Sequence, residues 1–168
     1  SGQGTRYLNA GYNMPKPLIP VNGVPMIERL LNKMPREWNC TFVLAENHKS
    51  SGLEPVLKKL RPQANIIYVE KNAEGPSLAI QKALPYLDKN KSVLVSYCDY
   101  GIKWDPWDFA EFVERSECDT CLVSYRGFHA HYIGPMKYAY SRLSGERVLQ
   151  VKEKGSFTDL RENEYASN

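Results

Sequence analysis

The chain has few cysteines, fewer histidines and almost no surplus of charge. Four cysteines in 168 residues, Cys40, Cys98, Cys118 and Cys121, are too sparse for a disulfide scaffold, and a domain of this size does not need one. A reducing compartment, and so a cytoplasmic location, is the expectation. No window approaches the roughly 18 consecutive apolar residues of a spanning helix, so no membrane insertion is expected. The opening SGQGTRYLNAGYN is polar and glycine-rich rather than a secretory leader. Twenty-two basic against 19 acidic residues leave +3, which does not announce nucleic acid without a local basic patch. Cys118 and Cys121 form one CxxC, but no second CxxC or histidine pair follows at zinc-ligand spacing. Cys121 also lies inside the apolar run TCLVSY, so a structural role is the expectation for that pair.

What is present is the make-up of one ordinary globular domain, residues 1–168, with 42% apolar and 24% charged residues. Short β-rich runs alternate with helical ones. Thr41–Ala45, Asn65–Glu70, Ser92–Tyr97 and Thr120–Tyr125 have the length and β-branched content of buried strands. Helical periodicity marks Pro25–Lys33, Leu53–Leu60, Ser77–Leu84 and Trp107–Arg115. This alternation predicts an α/β fold with a parallel or mixed sheet and helices on both faces. After Tyr125 the rhythm changes, and two runs around Ser144 and Gly145 predict a β-hairpin near the C-terminal end.

Chemistry gathers first at the N-terminal end. Gly2 and Gly4 in SGQGTR permit a tight turn that brings backbone N–H groups against an anion. Arg6 adds a planar fork suited to phosphate oxygens, and Lys16 stands between Pro15 and Pro17, which restrict its backbone. Two cations beside a glycine turn make a polyphosphate clamp. Neither standard phosphate motif fits, because GxxxxGK[ST] is absent and Tyr7 stands where GxGxxG requires its third glycine. Farther on, the apolar run Ser92–Tyr97 leads to Asp99. A carboxylate at the carboxyl end of a central strand faces the crevice where open α/β sheets bind ligands, and its hard oxygen suits Mg²⁺. Asp105 and Asp108 follow, Asp108 reading as an early helix charge.

The string Gly2, Gly4, Thr5, Arg6 followed by MPKPLIPVNGVPMIERLL resembles the sugar-nucleotidyltransferase family, with its GxGTR loop, PKP lysine, small-residue turn and PMIE helix start. The resemblance implies a Rossmann-like, three-layer αβα fold of the GT-A type with a mostly parallel sheet. It also implies an aliphatic first strand ahead of the glycine loop, so the expectation is a catalytic domain incomplete at both ends, with a second metal carboxylate beyond residue 168. On the same ground, Gly2, Gln3, Gly4 and Thr5 belong to the nucleotide-binding loop. Arg6 and Lys16 become the catalytic phosphate clamp and Asp99 the Mg²⁺ ligand, although Cys98 replaces the glycine that usually precedes that aspartate. Glu74 and Gly75 lie in the loop that contacts the base, with Ser77 as a helix cap. Glu153 and Lys154 match the family's EK pair, glutamate on the acceptor's hydroxyls and lysine on its phosphate. His129 and His131, in GFHAHY, fall where the family covers the acceptor pocket, and His129 is assigned to substrate contact.

The reaction implied is transfer of a nucleoside monophosphate from a nucleoside triphosphate to a phosphorylated small-molecule acceptor, a sugar 1-phosphate first, with release of pyrophosphate. Similarity to bacterial capsule and surface-polysaccharide proteins suggests precursor synthesis as the setting, and a homo-oligomer is compatible with it. Three alternatives stay open. A nucleotide-sugar glycosyltransferase would carry a DxD motif, whereas Asp99 is followed by Tyr100 and Gly101. A choline- or amino-alcohol-phosphate cytidylyltransferase would use aromatics such as Trp104 and Trp107 around a cation. A non-catalytic regulatory module would be expected to lose the Arg6, Lys16 and Asp99 set, all of which are present.

Overall fold

Prolines and one Asn-Gly pair set the first local structure. The computed structural model describes residues 7, 9–70, 76–136 and 138–167, with 130, 131 and 162 described by backbone alone. Pro15 precedes a single 3-10 turn, Lys16–Leu18, with Pro17 inside it. Strand β1 (Pro20–Val21) and strand β2 (Val24–Pro25) then pair antiparallel across Asn22 and Gly23. Their φ angles are 50° and 78°, as a type I′ turn requires of both central residues. Helix α1 (Met26–Leu31) starts at once and buries Ile27, Leu30 and Leu31.

The chain divides into two compact units, Ser1–Trp107 and Asp108–Asn168. In the first, strand β3 (Thr41–Ala45), helix α2 (Leu53–Leu60) and strand β4 (Asn65–Val69) form the expected βαβ unit, with the strands parallel from Thr41↔Asn65 to Ala45↔Val69. Because successive side chains leave a strand on opposite faces, the two strands sort into two cores. Phe42, Leu44, Ile66 and Tyr68 join Ile27, Leu30 and Leu31 of α1 and Leu53 and Leu57 of α2. Val43, Ile67 and Val69 meet Ala83 of helix α3 (Pro76–Ala83). Helices therefore cover both faces of the parallel pair, the layering foreseen from the sequence. Leu53 and Leu57, one turn apart and each 1% exposed, anchor α2.

Arg61, just past the end of α2, is 8% exposed. Its Nη2 donates to the carbonyls of Leu31 at 2.9 Å, Met34 at 2.9 Å and Pro35 at 3.3 Å. The last carbonyls of a helix lack intrahelical partners and carry partial negative charge, so a guanidinium at the end of α1 satisfies them and joins α1 to α2.

The strand expected at Ser92–Tyr97 departs from the sequence reading. No ladder includes these residues, and Val93, Leu94, Val95 and Tyr97 are exposed. Strand propensity is expressed only against a neighbour, and among the described residues none pairs with this run. Thr120–Tyr125 likewise forms no strand, apart from one bridge between Tyr125 and Ala166.

Helix α4 (Pro106–Ser116) begins at the end of the first unit and continues into the second, where Asp108 occupies its first turn. In the second unit the predicted hairpin is present as strands β5 (Ala139–Ser144) and β6 (Arg147–Lys152), with Gly145 turning at φ 59° and a register shift after Arg142. Strand β7 (Tyr165–Ser167) pairs with the other edge of β5, giving the order β6-β5-β7. Tyr132, Tyr140 and Ala166 form the core, with Tyr125 and Phe157 packed against it.

Glu164, 7% exposed, organises the loop after β6. It accepts hydrogen bonds from Ser156 Oγ at 2.9 Å, Phe157 N at 3.0 Å, Thr158 N at 2.5 Å and Thr158 Oγ1 at 2.7 Å. Burial pushes its carboxyl up, but the bonds from Phe157, Thr158 and Ser156 outweigh this and hold the pKa below its ordinary 4.5.

Two outcomes follow. Arg61→Ala should lower the unfolding free energy by about 2–3 kcal/mol, the scale of hydrogen bonds to a charged group, read from urea denaturation. A depressed carboxylate contributes stability that is present above the unfolded pKa and is lost as pH falls through the folded one. The stability gap between wild type and Glu164→Gln should therefore be full above about pH 4.5 and close on further acidification. A gap unchanged at low pH would exclude the charged cage.

Candidate functional site

Lys16 and Asp99 are 83 positions apart in sequence, yet the Lys16 ammonium donates to the Asp99 carboxylate as an ion pair, about a quarter to a third of each side chain remaining exposed. The local reasons differ. Lys16 is held by the proline-bounded turn ahead of the β1–β2 hairpin, whose end is tied by Met26 N donating to Ile19 O at 3.1 Å. Asp99 follows the apolar run and Cys98, which packs against the first core. The Lys16 Nζ also sits 5.2 Å from the Tyr7 ring centroid, a cation–π distance, and Tyr7 meets Tyr12 edge-on at 6.1 Å.

Asp99 opens onto a cleft of about 320 Å³ that is also lined by Arg29, Lys33, Lys103 and Cys98. Three cationic residues against one carboxylate make the lining suited to an anion. Sequence reasoning did not select Arg29, Lys33 or Lys103. The available signal was the four-residue spacing of Arg29 and Lys33 within PMIERLLNK, which puts two cations on one side of a helix and its continuation. Arg29 also donates to Val21 O at 3.3 Å, bracing the hairpin. Burial pushes the Cys98 thiol up and the Asp99 carboxylate adds to this, with Lys16 opposing.

Trp104 and Trp107 line a second cleft of about 350 Å³ with Asp105, Lys33 and Pro35. Trp104 Nε1 donates to Lys33 O at 3.3 Å, and Trp107 meets Trp38 edge-on at 6.2 Å. Asp105 accepts from Trp107 N at 2.8 Å at the start of α4, a helix-capping arrangement.

The other predicted residues distribute as follows. Gly2, Gln3, Gly4, Thr5, Arg6, Glu74 and Gly75 lie outside the described residues, as does the side chain of His131. In the second unit, Glu153 and Lys154 form a turn just past β6 rather than its last strand positions; they pair at 3.8 Å, both exposed, with Lys154 at φ 49°. The EK turn leads directly into the loop caged by Glu164. His129 packs edge-on against Tyr125 at 4.4 Å and Tyr132 at 6.0 Å between ring centroids, so its ring belongs to an aromatic cluster.

A family model described as the MobA-like NTP transferase domain matches residues 1–165. A "Bifunctional protein GlmU" of Methanococcus aeolicus is 27% identical over 84 residues, 49% of this chain and 20% of that protein, so the match spans only about a fifth of the curated relative's length. Among solved structures, a nucleoside-diphosphate-sugar pyrophosphorylase from Vibrio cholerae RC9 superposes with TM-score 0.65 at 17% identity, covering 100% of this chain and 70% of that one. An apo UDP-glucose pyrophosphorylase gives 0.66 at 16% identity, covering 99% and 71%. These likenesses establish a shared α/β fold, in keeping with the parallel strands and two helical layers. With nearly its whole length matched by the family model, the chain belongs to the MobA-like NTP transferase domain family.

Proposed function

We propose that the chain transfers a nucleoside monophosphate from a nucleoside triphosphate to a phosphorylated acceptor, a sugar 1-phosphate in the first instance, with release of pyrophosphate. The observation that carries this reading is the Lys16–Asp99 pair at the edge of a cleft lined by Arg29, Lys33 and Lys103. The names of the relatives, two of them pyrophosphorylases of sugar nucleotides, support the acceptor class. Surface-polysaccharide precursor synthesis in a bacterial cytoplasm belongs to the same reading.

In this reaction an acceptor phosphate oxygen attacks the α-phosphorus, and the bond from that phosphorus to the bridging oxygen of the β-phosphate breaks. A phosphate monoester is largely ionised near neutral pH, so the site needs no general base. It must supply alignment and charge neutralisation. Lys16, with Arg6 from the glycine loop, holds the β and γ phosphates and stabilises the leaving pyrophosphate. Lys154 is assigned to the acceptor's phosphate and Glu153 to its hydroxyls, with His129 as a further acceptor contact, while Gly2, Gln3, Gly4, Thr5, Glu74 and Gly75 are assigned to the nucleotide.

Asp99 fits Mg²⁺ by its chemistry. It offers a hard, partly exposed carboxylate, and Mg²⁺ in nucleotide sites is commonly held by one or two carboxylates plus phosphate oxygens and water. Among the described residues no group of three or more His, Cys, Asp or Glu side chains is placed to hold a metal ion, so Asp99 would act as a single protein carboxylate. When bound, the ion would neutralise charge on the triphosphate. Asp99 would hold it, and Lys16, released from the carboxylate, would turn to the phosphates.

A second acceptor class is favoured by one observation. The cleft shared by Trp104, Trp107 and Asp105 offers aromatic faces and a carboxylate to a quaternary or primary ammonium group, as in an amino-alcohol phosphate.

Two measurements test the reading. Four nucleoside triphosphates, each with Mg²⁺, should be screened against sugar, polyol and amino-alcohol phosphates for pyrophosphate release. Release of a nucleoside diphosphate from a nucleotide sugar, with no pyrophosphate, would instead identify a glycosyltransferase. At a hundredfold excess over Kd, the preferred nucleotide should raise Tm by about 5–10 °C. No nucleotide-dependent rise would favour the regulatory alternative. Lys16→Ala should cut pyrophosphate release about a hundredfold to a thousandfold while leaving the circular dichroism spectrum intact, and near-normal release would reject its assignment.

A further inference from the structure

The nucleotidyl transfer proposed above assigns no role to the CxxC pair, and the structure gives it a geometry of its own. Helix α4 ends at Ser116. Glu117 then adopts φ 47°, a left-handed conformation that turns the chain sharply and is uncommon for a residue other than glycine. That turn leaves Cys118 exposed and brings its Sγ to 3.0 Å from the Sγ of Cys121. Ser116 Oγ donates to Cys118 Sγ at 3.1 Å. The sulfurs need approach by only about 1 Å more to reach the 2.03–2.05 Å of a covalent bond. Two thiols in contact within one four-residue segment, one of them exposed, go beyond the structural role expected of the pair.

We propose that Cys118 and Cys121 form a dithiol–disulfide exchange site whose partner is a low-molecular-weight disulfide of the glutathione type. The two sulfurs have different roles. Hydrogen bonds from Cys121 and then Ser116 lower the Cys118 pKa, favouring the exposed thiolate that attacks an external disulfide. Cys121 is pushed up to about 11, first by burial and then by its bond to Cys118, so it stays protonated while Cys118 carries the charge. Attack by the Cys118 thiolate breaks the external S–S bond, forms a mixed disulfide and releases one thiolate, which takes up a proton. With Cys118 then uncharged, the part of the Cys121 shift that its neighbour causes is lifted. Cys121 gives up its proton, attacks the Cys118 sulfur and expels the second small thiol. In sum, one dithiol and one external disulfide become one internal disulfide and two small thiols. In a reducing compartment such a bond is transient and reports redox state rather than stapling the fold.

The test is independent of nucleotide chemistry. The full chain is equilibrated with oxidised glutathione, quenched with acid, alkylated and analysed by peptide mass spectrometry. Wild type should lose two hydrogen masses in the peptide that carries both Cys118 and Cys121. Cys121→Ser should instead retain a glutathione adduct on Cys118, because the resolving thiol is gone. Cys118→Ser should form no bond at Cys121. In reduced protein near neutral pH, Cys118 should alkylate about tenfold or more faster than Cys121. A variant with Cys40 and Cys98 both replaced by serine should close as wild type does, which separates this site from the other thiols. The proposal is overturned if both cysteines stay alkylatable in excess oxidised glutathione, if the bond formed involves Cys40 or Cys98, or if Cys121→Ser accumulates no adduct.

Discussion

The first unit is tied together by a buried cation whose hydrogen-bond partners, among the described residues, are main-chain oxygens. Arg61 reaches back some thirty residues to the carbonyls of Leu31, Met34 and Pro35, so the end of α1 is fixed by the residue that terminates α2. Removing a charged guanidinium from water is costly unless hydrogen bonds replace its hydration, and the three bonds from Nη2 tie the end of α1 to the end of α2. From α1 the constraint passes down the chain to the β1–β2 hairpin, which enters the helix without a linker, and from the hairpin to the turn that carries Lys16. A packing decision at Arg61 is therefore also a decision about where the site's lysine stands.

The ion pair at that site has a different character. Lys16 and Asp99 are both part-exposed, and pairs of that kind add little to folding. Their juxtaposition is better understood as mutual storage of opposite charges. In the reaction proposed above, a ligand carrying both signs, an anionic phosphate chain with its counter-cation, would replace both halves of the pair together. The surplus of Arg29, Lys33 and Lys103 along the cleft biases the balance toward the anion.

Much of this was legible in the residues. The βαβ unit was readable because TFVLA and NIIYV are short, β-branched runs and LEPVLKKL is amphipathic, and each of these signals is local. The hairpin around Ser144 and Gly145 was readable for the same reason, and the Asn-Gly turn through the family resemblance. The parts that escaped depend on distant partners. Ser92–Tyr97 has strand composition, but composition cannot supply the neighbouring strand that a ladder needs. Arg61 reads as a surface cation after a helix, and nothing local reveals carbonyls thirty residues earlier. Glu164 sits in a polar stretch, RENEY, that gives no sign of the donors at Ser156, Phe157 and Thr158. Lys16 and Asp99, which the structure brings together, were selected through chemistry and family resemblance, whereas Arg29, Lys33 and Lys103, which line the cleft beside Asp99, were not, because ordinary helix-surface and loop cations look the same in sequence.

Lys154 shows how backbone and side chain can want different things at one position. Its φ of 49° is a conformation that costs a residue with a β-carbon roughly 1–2 kcal/mol and costs glycine almost nothing, and a glycine stands next door at 155. A glycine at 154 would relax this turn, whereas a β-carbon at 155 would stand 2.8–3.0 Å from the Lys152 side chain. An ammonium group projects from the strained position instead, so any change toward comfort in this turn would also erase its positive charge. Stability and charge are set against each other in a single residue.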